Sequence, residues 1–315
     1  MMDPALGRLF PGFEDLRIQV PDRLDDHAAD PPQMLSIPVL RAGQGPALLL
    51  LHGHPQTRAL WHRVAPRLAQ HFTIIVTDLR GYGDADKPVV RADHSQQSFR
   101  AMAADQVEVM RALGFERFRV LAHDRGARTA HRMALDYPAF VERMVLLDIA
   151  PTLAMFEATD RAFATRYWHW FFLIQPSPWP ERLIGGDPQA YLEATMGSRH
   201  AGMAAFDPEA MAQYRRCLGD PATIEALCED YRAAATIDLE HDRIDRAAGR
   251  KITCPLQILW GQHGTIQACF DARVEWERCA DAVEGHSLPC GHYIPEEAPD
   301  ALIEAALPFL QGSRA

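Results

Sequence analysis

Val120-Leu121-Ala122-His123-Asp124-Arg125-Gly126-Ala127-Arg128 runs from an apolar strand, through a sharp turn, into a helix. Small residues, Ala122 and Gly126, stand two before and two after Asp124. A turn of the pattern small, any, nucleophile, any, small lifts one side chain clear of the backbone at a strand end. A carboxylate in that position cannot work as a serine does. It can attack a saturated carbon, form an ester and be regenerated by water. An Asp that caps the following helix is the competing account of the same residue. The two small neighbours after an apolar strand favour the nucleophile.

The flanking chain repeats the theme of apolar strands ending in polar loops. Pro46–Leu51 ends at His52-Gly53-His54-Pro55, and Phe72–Thr77 ends at Asp78-Leu79-Arg80-Gly81-Tyr82-Gly83. Phe118–Ala122 leads into the elbow, Arg143–Ile149 follows, and Leu256–Trp260 comes only after about a hundred further residues. Near-continuous apolar strands joined by helices imply a parallel sheet covered on both faces. The expected architecture is the α/β-hydrolase fold, a mostly parallel sheet with helices on both faces and an inserted helical cap. Residues 1–151 and 251–315 are read as the core and 152–250, aromatic-rich and helical in character, as the cap. Residues 1–35 are polar, proline-bearing and carry no clear assignment.

Composition bounds the function classes. The 315 residues are 48% apolar and 23% charged, with a formal net charge of -10. That balance excludes a generic binder of nucleic acid or of anionic membranes. No stretch approaches the roughly 18 consecutive apolar residues of a membrane helix, and Met1-Met2-Asp3-Pro4 shows no signal-peptide pattern. All six cysteines lie in the last third without CxxC spacing, which suits unpaired thiols in a reducing cytoplasm.

An ester intermediate needs a base to activate water. His292, in Pro289-Cys290-Gly291-His292-Tyr293, follows the last strand-like stretch and comes last in chain order, as the catalytic His of this fold does. A third member must orient it. Trp260-Gly261-Gln262-His263-Gly264 offers no acid, whereas Asp148 ends the strand after the elbow and takes the role. Arg125 and Arg128 share one face of the helix start, where the helix dipole disfavours cations. Their planar forks suit a substrate carboxylate, and neutralisation of Asp124 is the alternative task. Backbone N–H groups of His54 and Arg125 are the expected oxyanion donors. The His54 side chain either lines the pocket or is idle.

Taken together, His52-Gly53-His54-Pro55-Gln56-Thr57, Asp78–Gly83, His123–Arg128 and Gly291-His292-Tyr293 resemble the fluoroacetate (haloacetate) dehalogenase family of α/β-hydrolases, over about residues 35 to 310. The Asp-Arg pair with a second Arg three residues on is the specific part. The resemblance implies that His169 and Trp170, in Tyr167-Trp168-His169-Trp170-Phe171, and Tyr231 hold the departing halide. All three are neutral donors. It further implies a small anionic organohalogen substrate and water as reactants, no metal or organic cofactor, and a homodimer. Ala122 and Ala127 stand where the family has glycines, and His54 where it commonly has an aromatic.

Rival activities use the same Asp–His–Asp set. An epoxide hydrolase needs two tyrosines to protonate the epoxide, for which Tyr167, Tyr191, Tyr214 and Tyr231 are available, but it usually carries Trp where Arg125 stands. A haloalkane dehalogenase favours Trp there too, and its neutral substrate gives two arginines no task. A non-catalytic, ligand-binding hydrolase fold would have lost a catalytic member, and none is lost. A serine hydrolase is disfavoured because Gly285-His286-Ser287-Leu288-Pro289 lacks the trailing small residue.

Overall fold

The computed structural model describes residues 3–22 and 33–312. Eight strands form one sheet: β1 (Glu14–Pro21), β2 (Met34–Ala42), β3 (Ala47–Leu51), β4 (Thr73–Thr77), β5 (Phe118–His123), β6 (Val141–Leu147), β7 (Leu256–Gly261) and β8 (Val283–Leu288). Their spatial order is β1-β2-β4-β3-β5-β6-β7-β8. β1, β2 and β4 pair antiparallel, and every pair from β4–β3 through β7–β8 is parallel.

Burial explains why these residues are strands. All five positions of β3 and of β4 are buried, as expected when helices cover both faces. β1 at the edge alternates instead, which is the mark of a half-covered strand. The unassigned first 35 residues hold β1, the start of β2 and a helix, Pro4–Leu9, opened by Asp3 accepting from the Ala5 N–H. β6 ends at Leu147 rather than Ile149. Asp148 adopts φ 51°, a left-handed conformation that cannot continue a strand.

Between β6 and β7 the chain forms helices only, from Thr152–Glu157 to Ile237–Ala247. This helical insert is tied to the loops and helices of the core by polar links. Tyr82 donates to Asp230 at 2.6 Å, His94 Nδ1 lies 2.7 Å from Glu229, and Arg132 pairs with Asp245. Because β4 and β5 flank β3 on opposite sides, the loops after β3 and β5 diverge and leave a crevice at their carboxyl ends. The insert roofs that crevice. No helix among the described residues is long and apolar enough to cross a membrane.

Candidate active site

The elbow is built by close backbone approach. The helix Asp124–Asp136 starts directly at the end of β5, with Asp124 at φ 46°. A non-glycine residue in that region stores about 1–3 kcal/mol of strain, which the surrounding contacts must offset. Gly126 donates its N–H to the His52 carbonyl at 2.9 Å, and a Cβ on it would lie 2.4 Å from that same oxygen. Gly53 is equally constrained, since its Cβ would lie 2.5 Å from the Asp124 side chain. Two glycines therefore let β3 and the elbow touch.

Asp124 is buried, with its Oδ1 accepting the His54 backbone N–H at 2.9 Å. Burial alone opposes its ionisation, but the electrostatic influence of His292, His123, Arg128 and Arg125 outweighs it and holds the carboxyl far below the usual range. A buried, ionised carboxylate is the result. The Arg125 amide is the second N–H of the helix and has no intrahelical acceptor. Oδ1 thus faces the backbone N–H donors, and Oδ2 faces His292.

His292 Nδ1 lies 2.6 Å from Asp148 Oδ2, and its Nε2 lies 4.0 Å from Asp124 Oδ2. Asp148 Oδ1 accepts the Gly261 N–H at 2.9 Å, so the carboxylate from β6 leans across the end of β7. A Cβ at Gly264 would come within 3.2 Å of the same oxygen. The acid missing from the loop after β7 is therefore replaced in space by one from β6. His123 Nε2 donates to the His292 carbonyl at 2.9 Å, which fixes the loop that carries the imidazole. Burial lowers the His123 pKa to about 3 and keeps that donor neutral.

The two arginines differ. Arg125 gives its Nε to Asp230 Oδ2 at 2.8 Å, and its Nη2 binds the Asp230 carbonyl at 2.8 Å and the Oδ1 as well. Its guanidinium is stacked between Phe99 and Tyr231, 4.6 and 4.2 Å from the ring centres. Only Nη1 is without a partner, so Arg125 offers one NH2 group rather than the open fork expected from sequence. Arg128 donates Nη1 to Thr152 Oγ1 and the Ala150 carbonyl at 2.9 and 3.1 Å and lies 4.7 Å over Trp170. It has no carboxylate partner among the described residues, and its Nε is unsatisfied. Burial pulls its pKa down to about 10 even though Asp124 pulls the other way.

His169, Trp170 and Tyr231 gather on the same wall. Ring centres are 5.9 Å apart for His169 and Tyr231, and 6.2 Å for Trp170 and Tyr231. Trp170 Nε1 and the Tyr231 hydroxyl are buried donors without partners. Burial drives the His169 pKa well below its ordinary value, leaving the ring neutral. The His54 side chain, left open by sequence, stacks on His169 at 5.8 Å and meets the Tyr191 hydroxyl at 3.1 Å through Nε2. Its pKa falls to about 3 through burial.

Two residues of this site stand outside every motif of the sequence. Asp230 comes from the insert, and Arg199 lies over the Tyr167 ring at 4.9 Å. An acid directly before Tyr231 in a buried helix was the one available hint for Asp230. Among the described residues no group of three or more His, Cys, Asp or Glu could hold a metal ion.

A family model for the alpha/beta hydrolase fold matches residues 46–299. The crystal structure of an α/β hydrolase from Nostoc sp PCC 7120 superposes with a TM-score of 0.87 at 49% identity, covering 95% of this chain and 98% of that one. A fluoroacetate dehalogenase from Burkholderia sp is 45% identical over 307 residues, 97% of this chain and 96% of its own. A soluble epoxide hydrolase from Corynebacterium sp. (strain C12) is 35% identical over 274 residues, 85% of this chain and 91% of its own. The chain belongs to the haloacetate dehalogenase family of α/β hydrolases.

Proposed function

We propose that the protein is a hydrolytic dehalogenase that converts a haloacetate, fluoroacetate or chloroacetate, to glycolate and halide. The observation that carries this reading is Arg128, buried beside the nucleophile with no carboxylate of its own. A buried, unpaired guanidinium is costly in a finished fold, and a substrate carboxylate supplies the missing charge.

Asp124 Oδ2 attacks the α-carbon, and the carbon–halogen bond breaks with its electron pair leaving on the halide. Arg128 Nε and Arg125 Nη1 hold the carboxylate, while His169, Trp170 and Tyr231 donate to the halide. If each donor contributes about 3 kcal/mol, as oxyanion donors do, three supply roughly 9 kcal/mol, on the order of 10⁶ in rate. Such contributions are not additive, but the scale suits a poor leaving group. His292, oriented by Asp148, then takes a proton from water as its oxygen adds to the ester carbonyl. The N–H groups of His54 and Arg125 hold the oxyanion on Oδ1. Collapse breaks the ester bond, His292 returns the proton to the leaving alkoxide, and the regenerated Asp124 carboxyl sheds the remaining water proton to solvent, leaving glycolate and the Asp124 carboxylate. A cytoplasmic setting, in which the six free cysteines stay reduced, belongs to the same reading.

An epoxide hydrolase would need two free tyrosine hydroxyls over Asp124. Tyr231 is free, but the Tyr191 hydroxyl is engaged by His54. Halide release from fluoroacetate and chloroacetate tests the proposal. Wild type should release halide, Asp124→Asn should release none, and Arg128→Ala should be strongly depressed. Turnover of an epoxide with no halide from either acid would overturn it.

A further inference from the structure

A net charge of -10 repels an anion, yet the proposed substrate is one. The molecule must therefore gather it locally. One cavity stands out by its chemistry. It measures about 380 Å³ and lies between the helical insert and the loops after β7 and β8. Arg166, Arg199, His200 and His263 line it, with Trp168 on one side and His292 at its inner end. It contains no carboxylate, whereas four other surface cavities each include at least one Asp or Glu. The His200 and His263 rings are stacked at 4.2 Å on its rim.

Arg199 joins this cavity to the buried site. Its guanidinium lies over Tyr167 and has no carboxylate partner among the described residues. Its Nε is shielded from solvent and unsatisfied. Tyr167 in turn packs against His169 and Trp170, at 5.3 and 5.6 Å, and Arg128 lies over Trp170. Cations and donor-bearing rings thus alternate from the surface to Asp124.

We propose that this cavity is the entrance for the anionic substrate and that Arg199, at its inner end, draws the carboxylate from the rim toward Arg128. The inference rests on the haloacetate reading for the identity of the anion. Within a Debye length of about 8 Å the local cations outweigh the distant net charge. A cleft with low-dielectric walls focuses that field and raises on-rates by roughly 10- to 1000-fold. Arginine suits the position because it stays charged and stacks on an aromatic face. Arg199 is an entrance residue: it makes no contact with the reacting atoms.

The test compares kcat and kcat/KM for chloroacetate from low to high ionic strength in wild type, Arg199→Gln, Arg199→Lys and Arg166→Gln. Arg199→Gln should lower kcat/KM about tenfold at low salt and flatten its salt dependence, with a much smaller change in kcat. Arg199→Lys should restore most of the loss, and Arg166→Gln should give a weaker form of the same effect. A kcat loss equal to the kcat/KM loss with the salt slope intact would overturn the proposal, as would a Lys variant no better than Gln. Fluorescence quenching of Trp168, isolated as the difference from Trp168→Phe, reads the same field without turnover. Iodide quenching should fall in Arg199→Gln while quenching by neutral acrylamide stays the same. Expected quenching with no halide release from any haloacetate would sink the dehalogenase reading and leave the anion entrance standing. Halide release with unchanged salt dependence and unchanged iodide quenching would sink the entrance alone.

Discussion

Asp230 holds Arg125 through both carboxylate oxygens and its own backbone carbonyl, across 105 residues of sequence. The pair joins the insert to the helix that begins at Asp124, and both side chains are fully buried. Tyr82 donates to the same carboxylate, so no oxygen of Asp230 is left over. One consequence is geometric. Arg125 can rotate only with its partner, which fixes the direction of its one free NH2 group, Nη1.

Removing one member of such a pair strands a buried charge. Asp230→Asn should therefore destabilise the fold by about 3–5 kcal/mol, measured as a fall in the urea midpoint. The double variant Asp230→Asn/Arg125→Gln should lose less than the sum of the single changes. Strict additivity would mean that the pair does not couple the insert to the elbow.

The ester mechanism makes an isotopic prediction. In a single turnover in ¹⁸O-water, glycolate should carry unlabelled oxygen from Asp124, and one label should appear in the Asp124 carboxylate. Direct attack of water on the α-carbon would place the label in glycolate instead. His292→Gln should stop at the ester, so that mass spectrometry of intact protein shows a stable adduct on Asp124.

Arg128 predicts a conflict between stability and function. Its charge is desolvated with no carboxylate in hydrogen-bond contact, and burial pulls its pKa down to about 10 against the attraction of Asp124. Arg128→Gln should therefore leave the ligand-free fold at least as stable as wild type, with a gain of roughly 1 kcal/mol. Acetate should raise the Tm of wild type, since a ligand at 100 times its Kd adds about 2.7 kcal/mol. The same acetate should leave Arg128→Gln unmoved. A variant that is both less stable and still stabilised by acetate would contradict the assignment of Arg128 to the carboxylate.

What the sequence discloses follows from how local each signal is. Asp124, Asp148 and His292 each end a strand or follow one, so chain order alone arranges them, and 2.6 Å separates Asp148 from His292 Nδ1. The strands β3 to β7 are legible because their residues are buried on both faces. β1 is not, because an edge strand that is half exposed has no continuous apolar run. Asp230 and Arg199 lie in the insert, where nothing in the spacing tells which polar residue turns inward. Arg125 shows the limit most clearly. Its position at the elbow is readable, but the loss of its fork to Asp230 depends on a contact between distant segments.

Acid stability offers the last test, at a residue outside the proposed chemistry. His131 is buried in the elbow helix with its ring 5.1 Å from Trp276. Burial lowers its pKa to about 3, helped by Arg132 and Arg128 and opposed by Asp245. In the unfolded chain the same ring protonates near 6.5. Between these values the unfolded state binds one more proton than the fold, so stability falls as pH falls. The contribution is complete above about pH 6.5 and declines by about 1.4 kcal/mol per pH unit on the way down. An amide at this position cannot titrate, so His131→Asn should lose that slope. From pH 6.5 to 5.0, wild type should therefore lose about 2 kcal/mol more than the variant in urea unfolding. Equal losses would mean that His131 is already protonated in the fold.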